Sequence, residues 1–154
     1  MSKQAQKYHL SLAGEFFVAA ELQRRGISAA VTYGNAKSAD VVAFSITGDK
    51  AVVIEVKSTS QSAWVVGGGL PPSSSKPWVF VHLPIDAEDP PVYYVALQSE
   101  LNDVLAPIEE EYYRKFKAKH GVEYGDRPGV VNFTRKQAGP FKNAWGKILH
   151  QLST

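Results

Sequence analysis

The strongest constraint on the fold is the segment Ala51–Lys57, which reads AVVIEVK and is the clearest β-strand of the sequence. Side chains alternate between the two faces of a strand, so aliphatic residues occupy one face while Val53, Glu55 and Lys57 share the other. Both faces begin with apolar residues, which predicts a central strand covered on two sides. The charged pair stands at the C-terminal end of this strand.

Neighbouring segments predict the rest of a sheet. The segment Asp40–Ile46 (DVVAFSI) begins with an acid, and the turn residues 47–50 (TGDK) separate it from the strongest strand. This pattern predicts a β-hairpin. Three further strands are predicted at Ser28–Tyr33, Trp78–Leu83 and Val92–Leu97.

The N-terminal region predicts a helix over Tyr8–Arg25. This stretch contains no proline, its apolar residues recur at intervals of three and four, and Gly26 follows as a typical helix end. Glu15 lies in the middle of the apolar stripe. Burial of a carboxylate in a core is unfavourable unless a charged or hydrogen-bonding group contacts it. We therefore expect Glu15 to have such a partner.

The remaining segments predict a loop and several helices. Ser58–Lys76 contains GGG, PP and SSS and predicts a long, mobile loop. Ser99–Ala106 and Pro107–Lys119 predict two successive helices. Gly121–Gly139 is mostly irregular, and Pro140 begins a predicted final helix that carries Trp145.

Length and composition limit the class of protein. A chain of 154 residues fits a single domain, with a predicted core at about 8–97 and a helical extension at about 98–154. The absence of cysteine excludes disulfides, a thiolate nucleophile and a cysteine zinc site. No apolar run reaches the roughly 18 residues of a membrane span, and the N-terminus does not resemble a signal peptide. We therefore expect a cytoplasmic protein with no membrane partner.

The charge distribution is less even than the net charge of +2 indicates. Residues 113–154 carry nine Lys and Arg against two acids, while residues 61–112 carry one Lys against eight acids. A basic C-terminal quarter is able to contact phosphates. An ordinary solvated surface is the alternative.

Four ionisable residues are predicted to converge. Glu55 and Lys57 share a strand face, Asp40 begins the neighbouring strand, and Glu15 projects from the helix that packs on the sheet. Carboxylates without imidazole or thiolate suit a hard cation such as Mg²⁺. Mg²⁺ accepts phosphate oxygens and activates water, while a lysine positions that water or stabilises negative charge. This assembly is typical of a phosphodiester hydrolase.

The same residues resemble a known superfamily. Glu15 on a helix, then Ser38-Ala39-Asp40, then Ile54-Glu55-Val56-Lys57-Ser58 is similar to the PD-(D/E)xK nucleases, with the motif order of Holliday junction resolvases and many restriction enzymes. The wider chain resembles a family of small bacterial proteins of that superfamily. Its loose counterparts here are Val56-Lys57-Ser58, Trp64, 78–81, 93–97 and Trp145.

The resemblance implies a three-layer α/β/α, restriction-endonuclease-like fold with a central mixed sheet and an αβββαβ core. It implies a Mg²⁺- or Mn²⁺-dependent endonuclease that acts on nucleic acid, with DNA as the expected substrate. By the same resemblance, Asp40 and Glu55 bind metal, Lys57 supports catalysis and Glu15 completes the metal site. Two departures are that Ala39 replaces the usual proline and that no clear helix follows Lys57.

Further residues are candidates for substrate contact. They are Ser58, Gln61, Trp64, Arg114, Lys115, Lys117 and Lys119. Two alternatives stay open: a catalytically inactive nuclease-fold module that binds nucleic acid or a protein, and a structural protein in which the charged residues form only an ion-pair cluster. Double-strand cutting by so small a domain would be easiest for a homodimer.

Overall fold

The helices and strands are described here from a computed structural model, which covers residues 1–32, 39–125 and 129–153. The helices are α1 (Lys3–Arg24), α2 (Gln98–His120), α3 (Arg135–Ala138) and α4 (Gly146–Ser153). The strands are β1 (Ser28–Val31), β2 (Val41–Phe44), β3 (Ala51–Thr59), β4 (Ala63–Gly67), β5 (Pro77–His82), β6 (Val92–Leu97) and β7 (Val131–Thr134). Tyr33 and Ser38, which figured in the sequence predictions, lie outside the described residues.

Five strands form a mixed central sheet in the order β1-β2-β3-β5-β6. The predicted hairpin is confirmed, because β2 and β3 pair antiparallel with Val41 opposite Ile54. Strand β5 pairs parallel to β3 and antiparallel to β6. The chain therefore has a mixed α/β fold, in which β3 lies at the centre of the sheet.

The two faces of the sheet are covered by different elements. On one face, Val18 of α1 and Ile148 of α4 pack in a core cluster with the inward residues of β2, β3 and β5. On the other face, Leu101 of α2 packs in a second cluster that includes Trp64 of β4 and Phe133 of β7. Strands β4 and β7 form a separate two-stranded sheet on this side.

Burial along β3 differs from the prediction of a strand covered on both sides. Ile54 is fully buried, but Val53 on the opposite face keeps 39% of its surface exposed. The neighbouring strand β5 is the one buried on both faces, since Val79 and Phe80 are both inaccessible to solvent. The second layer, formed by α2, β4 and β7, covers β5 and β6 on that face of the sheet. It leaves the first half of β3 open to solvent.

The predicted long loop over Ser58–Lys76 is wrong in its first half. Strand β3 continues to Thr59, and β4 follows at Ala63–Gly67. The two-residue alternation of buried Trp64 and Val66 with exposed Val65 explains why this stretch is a strand. The helix that the resemblance implies after Lys57 is also absent from residues 58–76, because β4 forms the crossover between the parallel strands β3 and β5.

Two helix predictions are corrected as well. A single helix, α2, runs through Pro107, because one missing N–H group costs less than the packing of Leu101 and Leu105 contributes. The last helix begins at Gly146 rather than Pro140, since Gly139–Phe141 forms a separate 3₁₀ turn. In the described part of the chain, no helix combines the length and apolar character needed to cross a lipid bilayer.

Candidate active site

The β2–β3 hairpin brings Asp40 beside Glu55. The Asp40 N–H donates to the carbonyl of Ile54 at 3.1 Å, which continues the register one residue past β2 and places Asp40 opposite Glu55. The Asp40 carboxylate then accepts a hydrogen bond of 2.8 Å from the Val56 N–H. This bond fixes the Asp40 side chain against β3, beside the strand end that carries the charged pair.

Glu55 and Lys57 form an ion pair on the same face of β3. Lys57 Nζ lies 3.1 Å from Glu55 Oε1 and 5.6 Å from the ring centre of Trp78. Trp78 is itself held by a 2.9 Å hydrogen bond from its indole N–H to Gln98 at the start of α2. The aromatic ring and the carboxylate together restrain the lysine, although both charged side chains keep part of their surface in solvent.

Lys76 is a further basic residue of this cluster, and the sequence analysis did not identify it. Its Nζ lies 2.9 Å from Glu55 Oε2, so lysines contact both oxygens of that carboxylate. Lys76 precedes β5, which pairs with β3, and it is the single Lys or Arg in the acidic region 61–112. That isolated position was the one signal in the sequence that could have identified it.

The segment before Lys76 is tied to α2, contrary to the expectation of a mobile loop. The amide of Asn102 donates to the carbonyl of Pro71 at 2.8 Å, and the Gln98 side chain donates to the carbonyl of Pro72. The Gln98 N–H also donates to the carbonyl of Lys76 at 2.9 Å. These bonds anchor the backbone that presents Lys76 to Glu55.

Helix α1 brings Glu15 to the cluster through a close helix–strand contact. Gly14 is buried against Ser58, and a Cβ at position 14 would lie only 1.7 Å from Ser58 Oγ. The missing side chain lets α1 approach the end of β3. Glu15, the next residue, consequently lines the same cavity as Asp40 and Glu55.

The carboxylates influence one another electrostatically. Burial, together with the negative charges of Asp40 and Glu55, raises the pKa of Glu15 to about 7. Burial also raises the pKa of Asp40, against the opposing effect of its bond from Val56. For Glu55, burial is outweighed by the contacts of Lys76 and Lys57, which lower its pKa. Burial thus disfavours the charged forms of Glu15 and Asp40, whereas the two lysines favour the charged form of Glu55.

These residues line one open cavity of about 850 Å³. Its wall includes Glu15 and α1 residues on one side and the end of β3 with the following turn on the other. The residues that line it are Lys3, Gln6, Lys7, Leu10, Ser11, Glu15, Asp40, 55–61 and 63–65. The predicted contacts Ser58 and Gln61 are thus at the cavity, together with all four predicted catalytic residues.

Of the other predicted substrate contacts, Trp64 lines the cavity but is almost fully buried, and the four cations of α2 lie outside it. Trp64 is in β4 rather than a mobile loop, and only 1% of its surface is exposed. Its indole N–H donates to the carbonyl of Val81, so the buried side chain leaves no polar group unsatisfied. It has no free ring face on which a base could stack. The α2 cations Arg114, Lys115, Lys117 and Lys119 are exposed and line no part of this cavity, and the first three pair with Glu111 or Glu123.

The donor chemistry of the cavity fits a hard divalent cation. Among residues 1–32, 39–125 and 129–153, no three His, Asp or Glu side chains already form a metal-binding group. Glu55 contacts lysines with both oxygens, which explains part of that result. The candidate ligands are all carboxylates, as Mg²⁺ prefers, and a cation would offset the repulsion among them, which adds to burial in raising the pKa of Glu15.

No protein-family model matches the sequence, and no curated protein matches it either. The assignment of a function consequently depends on the geometry and electrostatics of the cavity.

Proposed function

We propose that the chain is a metal-dependent nuclease that hydrolyses phosphodiester bonds of DNA. One observation carries the proposal: Glu15, Asp40, Glu55 and Lys57, which are distant in sequence, line a single open cavity. A purely structural cluster of charges would have no need of an open cavity. Burial, and after it the negative charges of Asp40 and Glu55, raise the pKa of Glu15, and a bound cation would favour its ionised form.

Asp40 and Glu55 are the proposed metal ligands, and Glu15 would complete the site from α1. When bound, Mg²⁺ would lower the pKa of a water molecule and offset the charge that develops on the phosphate. Lys57 would donate hydrogen bonds to the attacking water or to a phosphate oxygen, and Trp78 and Glu55 hold its amine in place for that contact. The hydrogen bond from the Val56 N–H holds one oxygen of the Asp40 carboxylate at the wall of the cavity.

The element order supports a restriction-endonuclease-like fold as part of this proposal. Helix α1, the antiparallel strands β1, β2 and β3, and the parallel strand β5 follow the order of the PD-(D/E)xK core, with the acidic residues on β3 and just before β2. Strand β4 takes the position in the chain where that core has its second helix. Residues of β4 line part of the cavity, but none of the proposed metal ligands lies on β4 or β7, so this departure leaves the ligands unchanged.

The test is cleavage of plasmid and branched DNA with Mg²⁺ or Mn²⁺. Wild type should cut, while Glu55→Ala and Lys57→Ala should lose at least about 100-fold in rate, the scale of one transition-state contact. The pair Glu100–Lys147, at 2.7 Å and similarly half-buried, offers matched controls. Glu100→Ala and Lys147→Ala should cut like wild type. Wild type that cuts no nucleic acid would refute the proposal.

A second candidate is a nuclease-fold module that binds nucleic acid without cutting it. It is favoured by the contacts of Glu55 with both Lys57 and Lys76, which neutralise that carboxylate without any metal. This candidate predicts salt-dependent DNA binding that survives Glu55→Ala, with no cleavage in any metal. Divalent-metal titration by calorimetry separates the two, because the module needs no metal.

A further inference from the structure

A basic and polar stripe runs along α1 to the proposed metal site. Lys3, Lys7, Ser11 and Glu15 follow one another at intervals of four residues, so they lie on one face of the helix. All of them line the cavity described above. The order along the helix is positive, positive, neutral, negative, and the negative residue is the proposed metal ligand.

The charges of this stripe are available to a ligand. Lys3 and Lys7 are exposed, and neither forms a salt bridge with an acid in the described ranges of the chain. Residues 1–14 contain no Asp or Glu at all. Helix α1 also begins here, with Ser2 as its N-cap, so the positive end of the helix dipole adds to the two lysines.

A cavity with three carboxylates repels phosphates, so a nucleic-acid substrate needs positive charge close beside it. Lys3 and Lys7 of the stripe provide that charge, at distances from Glu15 that match the spacing of phosphates along a nucleic-acid strand. Twelve residues of helix separate Lys3 from Glu15 and span about 18 Å. One strand of DNA carries a phosphate per roughly 3.4 Å of helix axis, so the stripe matches about five phosphates.

We propose that the N-terminal half of α1 is the surface that binds the nucleic-acid backbone, with Lys3 and Lys7 contacting phosphates beside the one to be cleaved. This inference rests on the proposed nuclease function and adds where the substrate lies. Gln6 and Ser11 lie beside the lysines at the same cavity and add neutral hydrogen-bonding groups. The proposed binding surface is therefore α1, rather than the candidate cations Arg114, Lys115, Lys117 and Lys119 of α2.

The test is the affinity of the full chain for a fluorescent DNA duplex, measured by anisotropy in EDTA over a range of salt concentrations. The variant is Lys3→Gln/Lys7→Gln. The matched control is Lys115→Gln/Lys119→Gln, which removes two exposed lysines from α2. Circular dichroism should show the same helix content and melting for all three proteins, since none of these side chains is buried.

The α1 variant should bind about tenfold more weakly, and its plot of log affinity against log salt should lose about 1.8 in slope, or 0.9 for each phosphate contact. The α2 variant should change neither quantity. Unchanged binding by the α1 variant, or an equal loss in the α2 variant, would overturn the inference. If either of these results is found while wild type cuts DNA and Glu55→Ala does not, the binding surface on α1 is refuted and the nuclease proposal is retained. If wild type neither binds nor cuts DNA, both the binding surface and the nuclease proposal are refuted.

Discussion

Lys76 Nζ lies 2.9 Å from Glu55 Oε2, while Lys57 Nζ lies 3.1 Å from the other oxygen of the same carboxylate. Glu55 is consequently neutralised by two lysines, one from its own strand and one from the segment that precedes β5. Lys57 is also restrained by Trp78, whereas Lys76 competes directly with any cation for Glu55. Both lysines are therefore expected to oppose metal binding at Glu55, and Lys76 can be replaced without removing the lysine proposed to support catalysis.

Lys76→Met should strengthen Mg²⁺ binding. The substitution removes a positive charge next to a proposed ligand and frees one carboxylate oxygen, so we expect roughly tenfold tighter binding by calorimetry. It should also lower the stability of the metal-free protein, because three acids then share a single lysine. Lys147→Met, which breaks the half-buried pair with Glu100, should lower stability without changing Mg²⁺ affinity. Equal or weaker binding by Lys76→Met would contradict this role.

Glu15→Gln should make the metal-free protein more stable at alkaline pH. The ordinary pKa of 4.5 rises to about 7 for Glu15 in the folded protein. At pH values between about 4.5 and about 7, Glu15 therefore takes up a proton when the protein folds. Wild type should thus lose stability as pH rises from about 4.5 to about 7, and the variant should not. Because much of Glu15 is in solvent, we expect a gain of only about 1 kcal/mol at pH 8 and almost none at pH 4.

Urea unfolding in EDTA at both pH values measures this difference. Glu111→Gln is the control, because Arg114 lowers the pKa of Glu111 and its loss should slightly destabilise the protein at pH 8. Adding Mg²⁺ at pH 8 should reduce the advantage of Glu15→Gln over wild type. A variant less stable than wild type at pH 8 would show that Glu15 already has a cationic partner.

The sequence predicted the parts of the site that depend on local pattern. Strand alternation and the four-residue turn were enough to pair β2 with β3 and bring Asp40 near Glu55. Helical periodicity placed Glu15 on the packed face of α1. Lys76 could not be found this way, because its contact depends on the parallel pairing of β3 with β5, which no local pattern specifies.

The second layer of the fold was missed for the same reason. Strands β4 and β7 are separated by more than sixty residues, and glycine, proline and serine next to β4 obscure its short alternation. The proline at position 107 gave the opposite error, since it predicted a helix boundary that the buried leucines of α2 override. Local breaker residues were thus misleading where long-range packing supplied the stabilising contacts.

Gly14→Ala should destabilise the protein through Ser58. The new methyl group would lie 1.7 Å from Ser58 Oγ and 3.0 Å from its Cβ, so either the Ser58 side chain must rotate or α1 must move away from β3. We expect a loss of about 1–3 kcal/mol, partly offset by the better helix propensity of alanine. Gly146→Ala in α4, where nothing lies within 4 Å, is the control and should be neutral or stabilising.

Thermal unfolding checks this contact, and a second substitution makes the test specific. Gly14→Ala combined with Ser58→Gly should recover most of the lost stability, because both clashing atoms are removed. A double variant no more stable than Gly14→Ala alone would indicate that the close approach of α1 depends on other contacts.

Trp64→Phe should reduce stability and leave DNA binding unchanged. Trp64 is buried against Phe80 and Tyr94, and its N–H bond to Val81 would be lost at a cost of about 1 kcal/mol. Trp64→Ala should cost more, about 3–5 kcal/mol. Urea unfolding and DNA anisotropy at low salt measure the two properties. A selective loss of DNA affinity with normal stability would restore Trp64 as a substrate contact.

The most direct measurement is anomalous diffraction from a crystal of the wild-type protein soaked in Mn²⁺. The proposed site predicts a manganese peak bounded by the carboxylates of Asp40 and Glu55, with Lys76 displaced from Glu55 Oε2. A crystal of Glu55→Gln soaked in the same way should show no such peak. A soaked wild-type crystal with no metal at this cavity, and with both lysines still bound to Glu55, would contradict the proposed metal-dependent hydrolysis.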